Sequence, residues 1–328
     1  AVEMILPHVA EDNVIILEST VPPRTVDDLL VPLLSKTGLD PALNLHVAHC
    51  PERVLPGRIL EELIHNNRIV GGYTPEAARR AASLYRRVVK GEVLETKALT
   101  AEMTKLMENT YRDVNIALAN ELVKMAASLG VDALEVIRLA NQHPRVNLHA
   151  PGPGVGGHCI AVDPYFIVEK APTESVLIQA ARQINESMPA FVTQAVKRLV
   201  PKGEKIAIFG LAYKGNVADT RESPSFKVMS LLKQEGYELA AYDPHVVQEQ
   251  VKVPLSDFQS AVEGASCLLV LTDHREFVSL DEEKLLHLMR RPLILDTRNC
   301  VQVRDSRIHY VNYNSLHQLQ NALPPVLG

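Results

Sequence analysis

The sequence predicts an α/β protein with two doubly wound parallel-sheet domains, the first incomplete, joined by a central helical domain with a long connecting helix. Three observations predict it. Short runs of buried-type residues alternate with helical periodicity between residues 1 and 97; helical periodicity then runs from Thr100 to Leu129 with no internal Gly or Pro; and at Lys205 the strand-helix alternation restarts. The expected domains are 1–97, 98–200 and 201–328, the outer two Rossmann-like.

The chain opens as the middle of a fold. Ala1 to Ala10 reads as the end of an amphipathic helix and leads directly into strand Asn13–Leu17, so a segment upstream is expected to be missing. Glu18-Ser-Thr-Val-Pro-Pro23 ends that strand, and Thr25 to Leu34 reads as a helix. A second strand, Leu45–Ala48, runs into His49-Cys-Pro-Glu-Arg-Val-Leu-Pro-Gly57. Both polar clusters fall at strand C-terminal ends, where open parallel sheets place their ligands. Strand Arg68–Gly72, a helix from Pro75 to Val89 capped by Thr74, and a short strand near Glu92 to Leu94 follow.

The long helix of about thirty residues would span about 45 Å, a length suited to a domain connector or a dimer contact. Gly130 is its C-terminal stop. On it Lys105, Asn109 and Arg112 stand at i, i+4 and i+7 and share one face; a solvated polar stripe is the competing reading. Helices Asp132–Asn141 and Glu174–Leu199 complete the middle domain. The last domain has strands Lys205–Phe209, Tyr237–Tyr242, Cys267–Leu271 and Leu293–Leu295, with a helix Ser225–Gln234 between the first two. Its first loop, Gly210 to Pro224, lacks a compact glycine fingerprint but carries Lys214 and Arg221, and Arg298 follows the fourth strand at the same sheet edge. Such cations suit phosphate binding by side chains more than by a bare helix N-terminus. The tail, Asn321 to Gly328, reads as a flexible end.

Between the middle helices lies Pro151-Gly-Pro-Gly-Val-Gly-Gly-His-Cys-Ile-Ala-Val-Asp-Pro164. Gly152, Gly154, Gly156 and Gly157 let the backbone approach a ligand closely. Gly152, Gly154 and Gly157 also fit G-x-G-x-x-G, but a helix precedes them rather than a strand, and Asp163-Pro164 stands where a helix should open. The dinucleotide reading is therefore rejected for this loop. Pro164 biases Asp163 toward an extended conformation, so Cys159 and Asp163 are expected as neighbours in a loop. The loop reads as a rigid cradle presenting the Cys159 thiol, against the alternative of a buried, inert cysteine. Reactivity requires a thiol pKa lowered from about 8.5 by nearby cations or dipoles.

Composition sets the wider frame. Lys plus Arg number 34 against 39 Asp plus Glu, a net charge of −5, which argues against general affinity for nucleic acid or anionic membranes. Cys50, Cys159, Cys267 and Cys300 are far apart and form no C-x-x-C, so neither a disulfide framework nor a zinc site is indicated and a reducing cytoplasm is expected. No apolar run approaches a membrane span, and no signal-peptide pattern opens the chain.

The order of these clusters resembles the UDP-glucose/GDP-mannose dehydrogenase family, from Glu18-Ser-Thr-Val-Pro to Leu295-Asp-Thr-Arg298. Within it Cys50 to Gly57, Ala101-Glu-Met-Thr-Lys-Leu-Met-Glu-Asn109, His143-Pro-Arg-Val-Asn147 and the cysteine loop look like the branch acting on UDP-N-acetylmannosamine. Where other branches carry Ser and Lys, this chain has His158 and Val162. The resemblance implies an NAD-dependent, two-step oxidation of the sugar C6 alcohol to a carboxylate. By it Cys159 would be the nucleophile that forms a thiohemiacetal and then a thioester. Lys105 would act as acid or base and hold the oxyanion with Asn109, Asp163 would support proton transfer or orient water, and Glu52 and Thr20 would position the hydrolytic water. Arg53, Val54, Arg112, His143, Arg145 and Gly156 would contact the nucleotide sugar, with Tyr213, Lys214 and Arg298 toward the uridine diphosphate. Thr20 and Arg221 would approach NAD, Arg221 across a homodimer interface made by the central helices. An ordinary loop histidine is the competing reading of His143.

The family's N-terminal glycine fingerprint is absent upstream of Ala1, so the chain by itself is expected to hold NAD poorly and to be inactive. UDP-N-acetylglucosamine, UDP-N-acetylgalactosamine and UDP-glucose remain alternative substrates. A non-catalytic nucleotide-sugar binding or assembly module is the rival from another class. A cysteine hydrolase would need a base oriented onto the Cys159 sulfur, and adjacent His158 is poorly placed for that.

Overall fold

The computed structural model describes residues 1–54, 58–316 and 318; the tail Asn321 to Gly328 lies outside them. The chain divides into two compact units, residues 1–111 with 162–176, and residues 112–161 with 177–328.

The first unit begins with α1 (Val2–Ile5) and a 3-10 turn, Leu6–His8, followed by β1 (Val14–Leu17). The helix expected over Thr25 to Leu34 is present, beginning as a π-helical turn, Val26–Leu30, that runs without a break into α2 (Val31–Ser35), with Pro32 just past the join. β2 (His46–His49), α3 (Ile59–His65), β3 (Arg68–Gly72), α4 (Pro75–Tyr85) and β4 (Val93–Lys97) follow. Thr74 caps α4 as expected, its hydroxyl accepting from Ala77 N–H at 3.2 Å. α5 (Ala98–Leu129) opens in this unit and ends in the other, where Gly130 stops it at φ 77°. α6 (Ala133–Ala140) belongs to the second unit, and α7 (Asp163–Lys170) to the first.

The four strands pair in the order β1-β2-β3-β4. β1 and β2 are parallel, as are β3 and β4, but β3 runs antiparallel to β2. That reversal puts Arg68, at the start of β3, on the same sheet edge as the C-terminal ends of β1 and β2. Alternation along β2 fills both faces: Val47 packs with Val26, Leu30, Leu34 and Ala98, whereas Ala48 packs with Val70, Ala81 and Ala82.

α7 corrects the reading of the cysteine loop's end. Asp163 is the first residue of a helix, not part of an extended loop. Pro164 falls within the first turn, where its missing N–H has no helical partner to lose, and a carboxylate there complements the helix dipole.

The second unit contains α8 (Val176–Leu199) and the sheet of β5 (Lys205–Phe209), β6 (Glu238–Tyr242), β7 (Cys267–Val270), β8 (Leu293–Asp296) and β9 (His309–Asn312), with α9 (Pro224–Gln234), α10 (Phe258–Val262) and α11 (Glu282–Leu288) between strands. β9 is a fifth strand that the sequence reading did not include. All pairings are parallel, in the order β6-β5-β7-β8-β9. The order reverses at β5, so the crevice of this Rossmann-like sheet opens beyond the C-terminal ends of β5 and β7. One face buries Ile206 and Ile208 against Met188, Val192, Val228 and Leu232; the other buries Ala207 and Phe209 against Ala261, Val262 and Leu285.

Candidate active site

In the first unit the loops after β1 and β2 run on together past the ends of the strands. Cys50 N–H donates to Leu17 carbonyl at 3.0 Å and Glu52 N–H to Glu18 carbonyl at 3.1 Å. This continuation brings the Thr20 loop and the Glu52 loop to one sheet edge. Glu52 Oε1 accepts from Arg53 and Val54 N–H at 2.6 and 2.8 Å, while Oε2 faces the buried Arg68 guanidinium at 3.4 Å. The carboxylate is thus oriented by its own loop and by a cation. Arg53 is engaged by Glu108 at 2.6 Å and by the Asn67 carbonyl at 3.0 Å.

The Thr20 loop is closed from below by Glu102 of α5. Its buried carboxylate accepts from Arg24 N–H at 2.6 Å and Val26 N–H at 2.8 Å, and burial raises its pKa. Val26 N–H is the first donor of the turn that begins there and Arg24 N–H lies just before its cap, so a carboxylate sits at this helix start. Further along α5, Asn109 Nδ2 donates to Asp163 Oδ2 at 2.6 Å, both side chains being buried, and Lys105 is half-buried one turn earlier.

In the second unit the glycine loop packs on the C-terminal edge of the five-stranded sheet. A Cβ on Gly152 would lie 2.4 Å from Arg298 Nη1, and one on Gly156 would meet Glu222 carbonyl at 2.7 Å and Tyr213 Cβ at 2.8 Å. Only glycine fits at Gly156, where the obstacle is backbone; at Gly152 a side chain would have to displace the Arg298 guanidinium. Gly157 takes φ 83° and its N–H donates to Arg221 carbonyl at 2.9 Å. Cys159, two residues on, is half-buried, and a charge on its sulfur would be felt by both Tyr213 and Arg221. Burial pushes the Tyr213 phenol up. Arg221 holds Asp219 in a two-pronged ion pair, Nη2 to Oδ2 at 2.5 Å.

Arg298 is held by the loop that Asp296 organises. That buried carboxylate accepts from Arg298, Cys300 and Val301 N–H, each at 2.8 Å. The Arg298 guanidinium reaches Asp273 at 3.1 Å, and its Nε is buried with no partner among the described residues. Lys214 is exposed on the β5 loop. The two cations and the half-buried Tyr213 make a donor set suited to a diphosphate. Arg112, His143 and Arg145 are exposed, and His143 Nδ1 accepts from Arg145 N–H at 3.3 Å as an ordinary turn acceptor.

The structure therefore groups Thr20, Glu52, Arg53 and Val54 at one edge and Asn109 with Asp163 on neighbouring helices. It groups Gly156, Tyr213, Arg221 and Arg298 around the glycine loop. Sequence reading missed Glu102, Glu108, Arg68 and Asp273, and the buried Asp113 and Asn120 of α5. A signal was available for the last two: Glu102, Asn109, Asp113 and Asn120 are spaced 7, 4 and 7 apart, a polar stripe on one helix face.

Comparison with known proteins adds the lineage. A UDP-N-acetyl-D-mannosamine dehydrogenase of Methanocaldococcus jannaschii is 48% identical over 303 residues, covering 91% of this chain and 69% of that protein. The chain belongs to the UDP-glucose/GDP-mannose dehydrogenase family. The family's NAD binding domain matches residues 1–89, its central domain 99–187 and its UDP binding domain 207–303. A solved UDP-N-acetyl-mannosamine dehydrogenase from S. aureus superposes with a TM-score of 0.88 at 49% identity, over 97% of this chain and 76% of that one. An NDP-N-acetyl-D-galactosaminuronic acid dehydrogenase of Ralstonia solanacearum is 40% identical, over 91% of this chain and 73% of that protein. The chain is thus of an NAD-dependent nucleotide-sugar oxidoreductase family. Among the described residues no helix is long and apolar enough to cross a membrane.

Proposed function

We propose that this chain belongs to an enzyme that oxidises the C6 alcohol of UDP-N-acetylmannosamine to the carboxylate, with Cys159 as nucleophile. What supports the reading is one feature: the loop carrying Cys159 packs against Tyr213, Arg221 and Arg298 on the sheet edge of the region that matches the UDP binding domain. NAD, the family's cofactor, supplies two successive hydride acceptors. Of this chain's residues, Thr20 and Arg221 are assigned toward it. At the helix start beside Thr20, Glu102 already occupies the Val26 N–H, so a negative charge sits where the cofactor's diphosphate would otherwise meet this helix end.

The remaining roles belong to side chains. Lys214 and Arg298, with Tyr213, hold the uridine diphosphate, while Arg53, Val54, Arg112, His143, Arg145 and Gly156 contact the nucleotide sugar. Lys105 takes the C6 hydroxyl proton as the alcohol becomes an aldehyde, and with Asn109 it steadies the oxyanion formed when the Cys159 sulfur adds to that aldehyde. Loss of the second hydride turns the thiohemiacetal into a thioester. Water oriented by Glu52, Thr20 and Asp163 cleaves it, releasing carboxylate and thiol. Asp163 is poised for this by its bond to Asn109. The working form is a homodimer, in the cytoplasm.

The test is Cys159→Ser in the intact enzyme, assayed with UDP-N-acetylmannosamine and NAD. Carboxylate formation should fall by at least about a thousandfold, with sugar-nucleotide binding within about threefold, because the nucleophile is lost and the cationic edge is not. Undiminished carboxylate formation would remove Cys159 from the mechanism. Faster turnover of the galacto or gluco epimer would reassign the substrate.

A further inference from the structure

Inside the second unit a line of buried polar groups runs from α8 through α5 to the glycine loop. Asp113, Asn120, Arg182 and Asn185 are all nearly or wholly buried. Arg182 Nη1 donates to Asp113 Oδ1 at 2.8 Å. Asn185 Nδ2 donates to the same oxygen at 2.8 Å and to the Asp113 carbonyl at 3.0 Å. Asn120 Nδ2 donates to Asn185 Oδ1, and Asn120 Oδ1 accepts from Gly152 N–H, both at 2.9 Å.

The direction of this line is dictated from one end. A carboxamide has donors on one side and an acceptor on the other. Asp113 offers Asn185 a carboxylate and a backbone carbonyl, and the carbonyl accepts whatever the state of the acid. Asn185 must therefore turn its NH2 toward Asp113 and its oxygen toward Asn120. Asn120 must then turn its own oxygen toward Gly152. The line ends on a backbone N–H of the cysteine loop, at the glycine whose Cα faces Arg298.

We infer that Asn120 is a positioning residue for the Cys159 loop, its oxygen aimed by Asn185 and Asp113 so as to fix the Gly152 amide. It touches no reacting atom. The inference rests on the reading of Cys159 as nucleophile only for its effect on turnover; the anchoring of the loop is independent of it.

Asn120→Asp provides a test with a built-in switch. A protonated carboxyl reproduces both bonds, its O–H donating to Asn185 Oδ1 and its carbonyl oxygen accepting from Gly152. An ionised one sets acceptor against acceptor at Asn185. Burial favours the protonated form, so the switch should be met on raising the pH.

In the full chain, hydrogen exchange of the peptide spanning residues 147 to 159, taken relative to the unsubstituted protein at each pH, should be near unity at about pH 5 and rise about tenfold at about pH 9. Asn120→Ala should raise it at both. In the intact enzyme turnover should follow the same profile in kcat, with KM for the sugar nucleotide within about twofold. Exchange in Asn120→Asp equal to that of the unsubstituted protein at both pH values would overturn the inference, as would a rise shared equally by α5 and α8. If Cys159→Ser keeps its turnover, the nucleophile reading falls while the exchange result still decides the anchor.

Discussion

His49 shows what one side chain can impose. It is fully buried at the end of β2, with Nδ1 donating to the Leu17 carbonyl at 2.8 Å, and its Nε2 is buried with no partner among the described residues. Burial lowers its pKa to about 4, only partly offset by the bond to Leu17. The folded protein therefore keeps His49 neutral where the unfolded chain takes up a proton at about pH 6.5. Stability from this source is complete above about pH 6.5 and is lost as the pH falls toward 4, by up to about 3 kcal/mol. Denaturant midpoints of the unsubstituted protein and His49→Gln should differ most at neutral pH and converge across that window. Parallel curves would show that another group sets the acid sensitivity. None of this was legible in the sequence, where His49 is one more polar residue beside Cys50. The clusters holding Thr20 and Glu52 could be marked because they fall at strand ends, and Cys159 because of its glycine-dense loop, with the individual roles implied by the resemblance, whereas a histidine's tautomer depends on a carbonyl brought from another strand.

At the scale of elements, α5 was the most legible part of the chain and also the most incompletely read. Its length followed from unbroken periodicity, but Lys105, Asn109 and Arg112 drew attention to a face that is buried only at Asn109. The face bearing Glu102, Asn109, Asp113 and Asn120 holds the neighbouring elements. Glu102 is the case with the clearest cost, since it satisfies the N–H groups of both Arg24 and Val26, and Arg24 is held at φ 71°, a left-handed conformation that a non-glycine residue adopts reluctantly. Glu102→Ala should destabilise the protein by about 3 kcal/mol through two unpaired donors, and Glu102→Gln by about half as much, one acceptor being kept. Chemical denaturation measures both; equal losses would mean that Glu102 acts through packing. The antiparallel setting of β3 was not legible, because a five-residue buried strand carries no mark of its direction. The helix at Asp163 is not legible because a proline biases its preceding residue toward extended backbone yet is equally at home in a helix's first turn, and the sequence does not choose between the two.

The proposed homodimer is a claim about the whole molecule. α5 leaves Met107, Tyr111, Leu118 and Met125 exposed to 46, 58, 47 and 44%. Their spacings of 4, 7 and 7 keep them within one narrow sector of the helix, and three of the four are unbranched or aromatic side chains of the kind enriched at protein interfaces. A second copy presenting the same stripe is a self-complementary partner, since a two-fold axis brings identical apolar rows together. Light scattering at micromolar concentration should therefore give twice the chain mass. Replacing Leu118 and Met125 together by Glu should give the monomer with little change in intrachain stability, because the substituted side chains are nearly half exposed in the single chain and the new charges face solvent there. If Arg221 works across that contact, the monomeric variant should also bind NAD more weakly while keeping its affinity for the uridine diphosphate. A monomer from the unsubstituted chain would overturn the assignment of this stripe. A dimer that survives both glutamates would place the interface elsewhere.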